Sequence, residues 1–133
     1  PMKPQDRRLH FRHKVSLPVL VQSEKFSGDQ IGLPPLRFES VTRDISLGGI
    51  LVDLSIRAQG LDSNWQPDWF QDRFFWVHIR GIALIPDGIF TKARAVHLFD
   101  GNQDRAPAFG LQFQELMGVL EDRLRLFLET LGK

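Results

Sequence analysis

The sequence predicts a mainly β fold, a small antiparallel six-stranded barrel carrying a C-terminal α-helix. Three observations carry that expectation. Apolar side chains recur at every second position in short stretches, the pattern of half-buried strands. Turn-forming residues separate those stretches. Only residues 116–131 change to helical spacing. A chain of 133 residues, 42% hydrophobic and 25% charged, has room for one domain with a core of its own and little room for a second.

In chain order, Val15 to Val21 is rich in Val and Leu, and Pro18 within it points to an edge strand or a bend. Residues 23–35 hold the turn formers of a long loop. Leu36 to Arg43 reads as extended. Gly48 and Gly49 then break the chain, free to take a positive φ or to admit a close backbone approach. From Ile50 to Ile56 the residues Ile50, Val52, Leu54 and Ile56 alternate with Leu51, Asp53 and Ser55. Residues 57–72 are irregular, and Trp65, Trp69 and Phe70 there fit either a cover over a barrel end or a partner surface. Phe74 to Gly81 reads as strand, Trp76 included. Ile89 to Phe99 and Phe109 to Phe113 follow, split by the turn chemistry of Asp100-Gly101-Asn102. Leu116, Val119, Leu120, Leu124, Phe127, Leu128 and Leu131 then form the apolar stripe of one amphipathic helix, expected to face the core. Pro1 ahead of Met2 reads as a cloning remnant before the natural start.

Composition excludes several functions. With no cysteine there is no disulfide frame, thiol nucleophile or thiolate metal site, which suits a reducing cytoplasm. No apolar run has the length of a membrane span, and the first residues show no secretory h-region, so a cytoplasmic protein without membrane contact is expected. No phosphate-binding glycine loop, catalytic triad or metal-ligand cluster stands out, so an enzyme is not expected. His10 and His13 form HxxH, but good ligands nearby are lacking, and no metal is expected.

Charge is distributed unevenly. The formal net charge is only +1, yet residues 1–14 carry Lys3, Arg7, Arg8, Arg12 and Lys14 against Asp6. A near-neutral body with a basic arm fits an anionic ligand met at one place, and not coating of DNA or RNA. The arm reads RRLHFRHK over residues 7–14. If it is extended, Arg8, His10 and Arg12 share one face while Leu9 and Phe11 face the other and anchor it to the body. The backbones of Arg8 and Arg12 then lie about 13 Å apart, within reach of a common ligand. Each guanidinium can bond phosphate, or the O6/N7 edge of guanine, through two hydrogen bonds at once.

A second stretch, DISLGG over residues 44–49, complements the arm. Asp44 and Ser46 share one face, with Ile45 and Leu47 directed to the core. A carboxylate can accept both donors of guanine's N1 and N2 edge, and a small hydroxyl can serve a phosphate. Arginines for one guanine edge, a carboxylate for the other and spare positive charge for phosphate describe a guanine nucleotide.

RRLHFR followed by DISLGG resembles the PilZ domain family, whose signature is RxxxR upstream and [D/N]xSxxG downstream. Arg8 and Arg12 fill the first element; Asp44, Ser46 and Gly49 fill the second. KARAVHLF, FGLQFQEL and the final helix are similar to the family's closing strands and helix, so the resemblance spans residues 7–131. It implies a six-stranded barrel that binds the bacterial messenger cyclic di-GMP. Arg8 and Arg12 would clamp guanine and phosphate, Asp44 and Ser46 would contact the guanine edge and its surroundings, and Gly49 would leave room for the ligand. His10 fits as a second polar contact beside the arginines. In the family, the residue before RxxxR bears on stoichiometry, and an arginine there, Arg7, resembles the type that holds two ligands per chain. A downstream protein, not identified by the sequence, would receive the signal. The competing reading is a PilZ-like adaptor acting without nucleotide, and behind it a small barrel for single-stranded nucleic acid.

Overall fold

The computed structural model describes residues 11–24, 32–55, 57–102 and 104–132. Among the described residues seven strands form one sheet: β1 His13–Lys14, β2 Pro18–Ser23, β3 Arg37–Ile45, β4 Gly49–Asp53, β5 Phe74–Ile79, β6 Ile89–Phe99 and β7 Ala108–Phe113. Neighbours run in the order β1-β3-β2-β5-β6-β7-β4, and β4 pairs back onto β3. Every pairing is antiparallel. The ring from β3 round to β4 is thus the expected closed six-strand barrel, and closure leaves few unpaired strand edges.

β1 is the one strand not counted from sequence. It lies on the same side of β3 as β2, pairing His13 with Ile45 and Lys14 with Asp44, while β2 takes Arg37 to Val41. The two are halves of one edge, interrupted before Pro18, which has no N–H to donate. Buried Thr42 bridges the interruption. Its Oγ1 donates to the Val15 carbonyl at 2.6 Å and accepts the Leu17 N–H at 2.9 Å, so both of these backbone groups stay paired across the gap.

Inward residues alternate as the period-two pattern requires: Val19 and Val21 on β2, Phe75, Val77 and Ile79 on β5, Ile89 and Ala93 on β6, all at 1% exposure or less. Two bulges interrupt the alternation. One falls at Arg43, between the pairings of Thr42 and Asp44. The other falls at Val96, between those of Ala95 and His97. A bulge places one extra residue on one face and re-aims the side chains that follow.

The irregular segment 57–72 is part of the core. Gln59 bridges to Glu39, and a 3-10 turn spans Pro67–Trp69. Phe70 is fully buried among Phe38, Phe75 and Phe109, with ring centroids 6.3, 6.2 and 4.8 Å away. Trp65 meets Phe70 edge-on at 5.4 Å, and Trp65 and Trp69 are half-buried against the core. Of the two fates expected for these aromatics, the cover is the one seen. Arg73 fastens it, donating to the carbonyls of Trp69 at 3.1 Å and Pro34 at 2.8 Å, and burial lowers its pKa.

Several expectations need correction. β4 ends at Asp53 and not at position 56, which lies outside the described residues. The Asp53 carboxylate accepts the Ser55 N–H at 2.7 Å and the Ser55 hydroxyl, and this local turn ends the ladder. β5 stops before Gly81, whose φ of 90° leaves the strand. The helix α1 runs Gly118–Leu131, starting two residues later than expected, with no side-chain cap. Of its stripe only Leu124 and Leu128 are buried, while Val119 is 65% exposed and Leu131 is 37% exposed, because the stripe is wider than the barrel face it covers. Phe11 does not anchor the arm: it is 87% exposed. Among the described residues strand pairing begins at His13, so no ladder among them holds Phe11 to the barrel.

Asp53 carries a pH prediction. Burial pushes its pKa up, but hydrogen bonds from the Ser55 side chain and backbone and the Arg43 guanidinium at 3.0 Å outweigh that, and the net shift is downward. A depressed carboxyl stabilises the fold above its unfolded pKa, and the contribution disappears as pH falls through the folded value. Asp53→Asn should therefore lose about 1.5–3 kcal/mol at neutral pH and less in acid. Urea denaturation from pH 7 downward checks this; a constant difference at every pH would remove Asp53 from the acid response.

Candidate functional site

The site forms where β3 turns into β4. Ser46 donates its N–H to the Gly49 carbonyl at 2.9 Å, and its Oγ accepts the Gly48 N–H at 3.1 Å. The Gly48 carbonyl accepts the Phe113 N–H at 2.9 Å, tying the turn to β7. Accepting through Oγ leaves the hydroxyl hydrogen of Ser46 available to donate. The bulge at Arg43 sets the phase here: Thr42 and Ile45 are fully buried, while Arg43 and Asp44 between them face outward, half-buried. Leu47 packs partly against the core, in keeping with its expected direction.

The pairing of β1 with β3 delivers the arginine. His13 lies opposite Ile45 and Lys14 opposite Asp44, so Arg12 comes level with Ser46. By alternation it shares the outer face with Lys14 and Asp44. Arg12, Asp44, Ser46 and Gly49 line one groove of about 630 Å³. The groove therefore offers a guanidinium, a carboxylate and a hydroxyl in one cleft, a set able to bond both edges of a guanine and a phosphate. Arg7, Arg8 and His10 lie outside the described residues.

Gly49 earns its place from packing. Neither Gly48 nor Gly49 has a positive φ. A Cβ at Gly49 would stand 2.0 Å from the Leu111 carbonyl oxygen of β7, so the space beside Gly49 is filled by the neighbouring strand and not kept for a ligand. Gly49→Ala should destabilise the free protein by about 1–3 kcal/mol, the usual cost of overpacking. A thermal melt checks this, and an unchanged melting temperature would show that β4 and β7 can separate without penalty.

Sequence reasoning missed the rest of the groove. Its lining continues through Val96, His97 and Phe99 of β6, Gln112 of β7, and Glu121 of α1. Glu121 is paired with Arg125 at 3.1 Å. These residues are distant in sequence and meet only because the barrel closes. Of the other histidines, His13 is half-buried on β1 and His78 bonds the Asp87 carbonyl at 3.0 Å. Among the described residues no group of three or more His, Cys, Asp or Glu is placed to hold a metal ion, and no helix is long and apolar enough to cross a membrane.

A closed barrel with an open groove that offers both charge signs beside a tight turn has the form of a ligand-binding domain. The chain belongs to the PilZ family: the PilZ domain pattern matches residues 6–130. Solved structures agree in fold. MotI (DgrA), the inhibitor of motility of Bacillus subtilis, is 21% identical with a TM-score of 0.62, covering 96% of this chain and 57% of its own. The PilZ domain of YcgR from Escherichia coli, solved with cyclic di-GMP, is 18% identical with a TM-score of 0.58, covering 95% and 92%. YcgR in complex with cyclic di-GMP is 20% identical with a TM-score of 0.58, covering 95% of this chain and 46% of its own. The chain thus spans about half the length of MotI and of that longer YcgR chain. No curated protein sequence matches it.

Proposed function

We propose that this PilZ domain is a cytoplasmic receptor for cyclic di-GMP that passes the signal to a protein partner. One observation carries the reading: Arg12, from before the first strand, meets Asp44, Ser46 and Gly49 in a single groove, although the two motifs are separated by thirty residues of sequence. Arg8 and Arg12 clamp guanine and phosphate, Asp44 takes the N1 and N2 edge, Ser46 serves the phosphate or its surroundings, and His10 adds a polar contact. Gly49 contributes by keeping β4 tight against β7, which fixes the turn. The YcgR structures with cyclic di-GMP, similar in fold, support the choice of ligand.

The ligand is held as a pair. Two cyclic dinucleotides stacked together gather four phosphates, and that repulsion needs more than two guanidinium groups to offset it. Arg7, Arg8 and Arg12, with Lys14 opposite Asp44, supply the charge. Calorimetric titration should saturate at two cyclic di-GMP per chain, weaken with rising salt, and fall toward one ligand in Arg7→Leu. Saturation at one in the wild type would make Arg7 a solvated charge only.

A second reading, an adaptor that acts without nucleotide, draws on the outer face of β5 and β6. There Trp76 and Phe90 are 39% and 61% exposed with ring centroids 5.4 Å apart. The same titration separates the two, because the adaptor reading expects no heat from cyclic di-GMP.

A further inference from the structure

The groove has a second wall, and its construction is specific. Along β6 the alternation places Ala93 and Ala95 inward, both buried. Continued unbroken, it would turn His97 and Phe99 inward as well. The bulge at Val96 shifts the phase. Leu98 packs against the core instead, and His97 and Phe99 face outward, lining the groove with ring centroids 6.4 Å apart. Phe99 is 49% exposed. Its ring is thus open to the groove as well as set beside that of His97.

The ladder places this wall relative to the motif. Asp44 pairs with Leu51, Leu51 with Gly110, and Gly110 with His97. Asp44 and His97 therefore end one cross-strand row, three strand spacings or about 14 Å apart at the backbone. Gly110 in the floor carries no side chain, and the barrel does not demand that. Its φ is not positive, and a Cβ there would meet only ordinary contacts, the nearest being His97 Cβ at 3.7 Å. Gly49, by contrast, is obligatory for packing.

We propose that His97 and Phe99 form a stacking platform for a purine base of the bound nucleotide, with Gly110 as the bare floor between that platform and Asp44. This rests on the nucleotide reading above and adds to it the site for a base that the motif residues do not grip. Flat aromatic faces hold any base by stacking, whereas the arginine and carboxylate select guanine by its edges. Recognition is thus divided between the walls, with β3 and the arm reading identity and β6 supplying contact area.

The test is an NMR titration of the full chain with cyclic di-GMP, following the backbone amides of residues 44–49 separately from the ring protons of His97 and Phe99. Both sets should move and saturate together. His97→Ala and Phe99→Ala should each weaken binding about 5- to 150-fold, and His97→Trp should restore it. Gly110→Val should keep the melting temperature and lose affinity, because it fills the floor. Motif amides that move while the rings stay still, with His97→Ala and Gly110→Val binding as wild type, would overturn the platform and leave the receptor reading standing. If neither set moves, the receptor reading fails and the platform fails with it.

Discussion

Arg12→Ala lowers the affinity for cyclic di-GMP by about 5- to 150-fold, the equivalent of one bidentate base contact, and leaves the melting temperature of the free protein unchanged. The two halves of this expectation have separate causes. Arg12 is exposed at the groove and precedes the first paired residue of β1, so truncating it removes no buried contact, and surface changes of that kind stay within about 0.5 kcal/mol. On the proposed reading its planar fork makes two parallel hydrogen bonds to the ligand, which a lysine, as a point charge, cannot replace. Arg12→Lys should therefore recover only part of the loss. Calorimetric titration beside a thermal melt measures both quantities. Full affinity in Arg12→Ala would place the ligand elsewhere, and Arg8→Ala in the same assay would show whether the whole arm is dispensable.

Phe70→Ala destabilises the protein by about 3–5 kcal/mol, the range for a fully buried phenylalanine, and lowers the melting temperature by roughly 10–20 °C. The residue belongs to a segment with little regular structure, where a substitution would ordinarily be harmless. Its ring nevertheless touches those of Phe38, Phe75, Phe109 and Trp65, and its loss opens a cavity with partners from β3, β5 and β7. Trp65→Ala should cost less, since Trp65 is only half-buried. Equal, small effects from both would mean that segment 57–72 rests on the barrel without completing its core.

The barrel strands were readable because alternation is a local signal. Ile89 to Phe99 was bounded correctly, and Val19, Val21, Val77 and Ile79 face inward as that reading requires. The motif half of the candidate groove was readable because Asp44, Ser46 and Gly49 lie close together in sequence where β3 turns into β4. Four things were hidden. Thr42 satisfying the gap before Pro18 depends on a contact across 25 residues. The true reason for Gly49 is the Leu111 carbonyl, 62 positions along the chain. Most of all, a bulge leaves no mark on composition, so the period-two rule would assign His97 and Phe99 to the core. The charged residues of segment 57–72 likewise disguised Phe70, whose burial is decided by partners on three distant strands.

The bulges at Arg43 and Val96 carry a consequence for how such a protein can change. Each is a one-residue surplus carried on the outside of a closed ring, so interior and exterior keep different counts along the same strand. Deleting Val96 removes the surplus while Leu98 still pairs inward with Phe109, and an insertion beside it is absorbed in the same way. The ligand-facing surface can therefore gain or lose single residues by small insertions and deletions without throwing the interior out of frame. Sequence length varies on one side of the wall while the other holds constant, and new recognition can be written onto the groove without a new barrel.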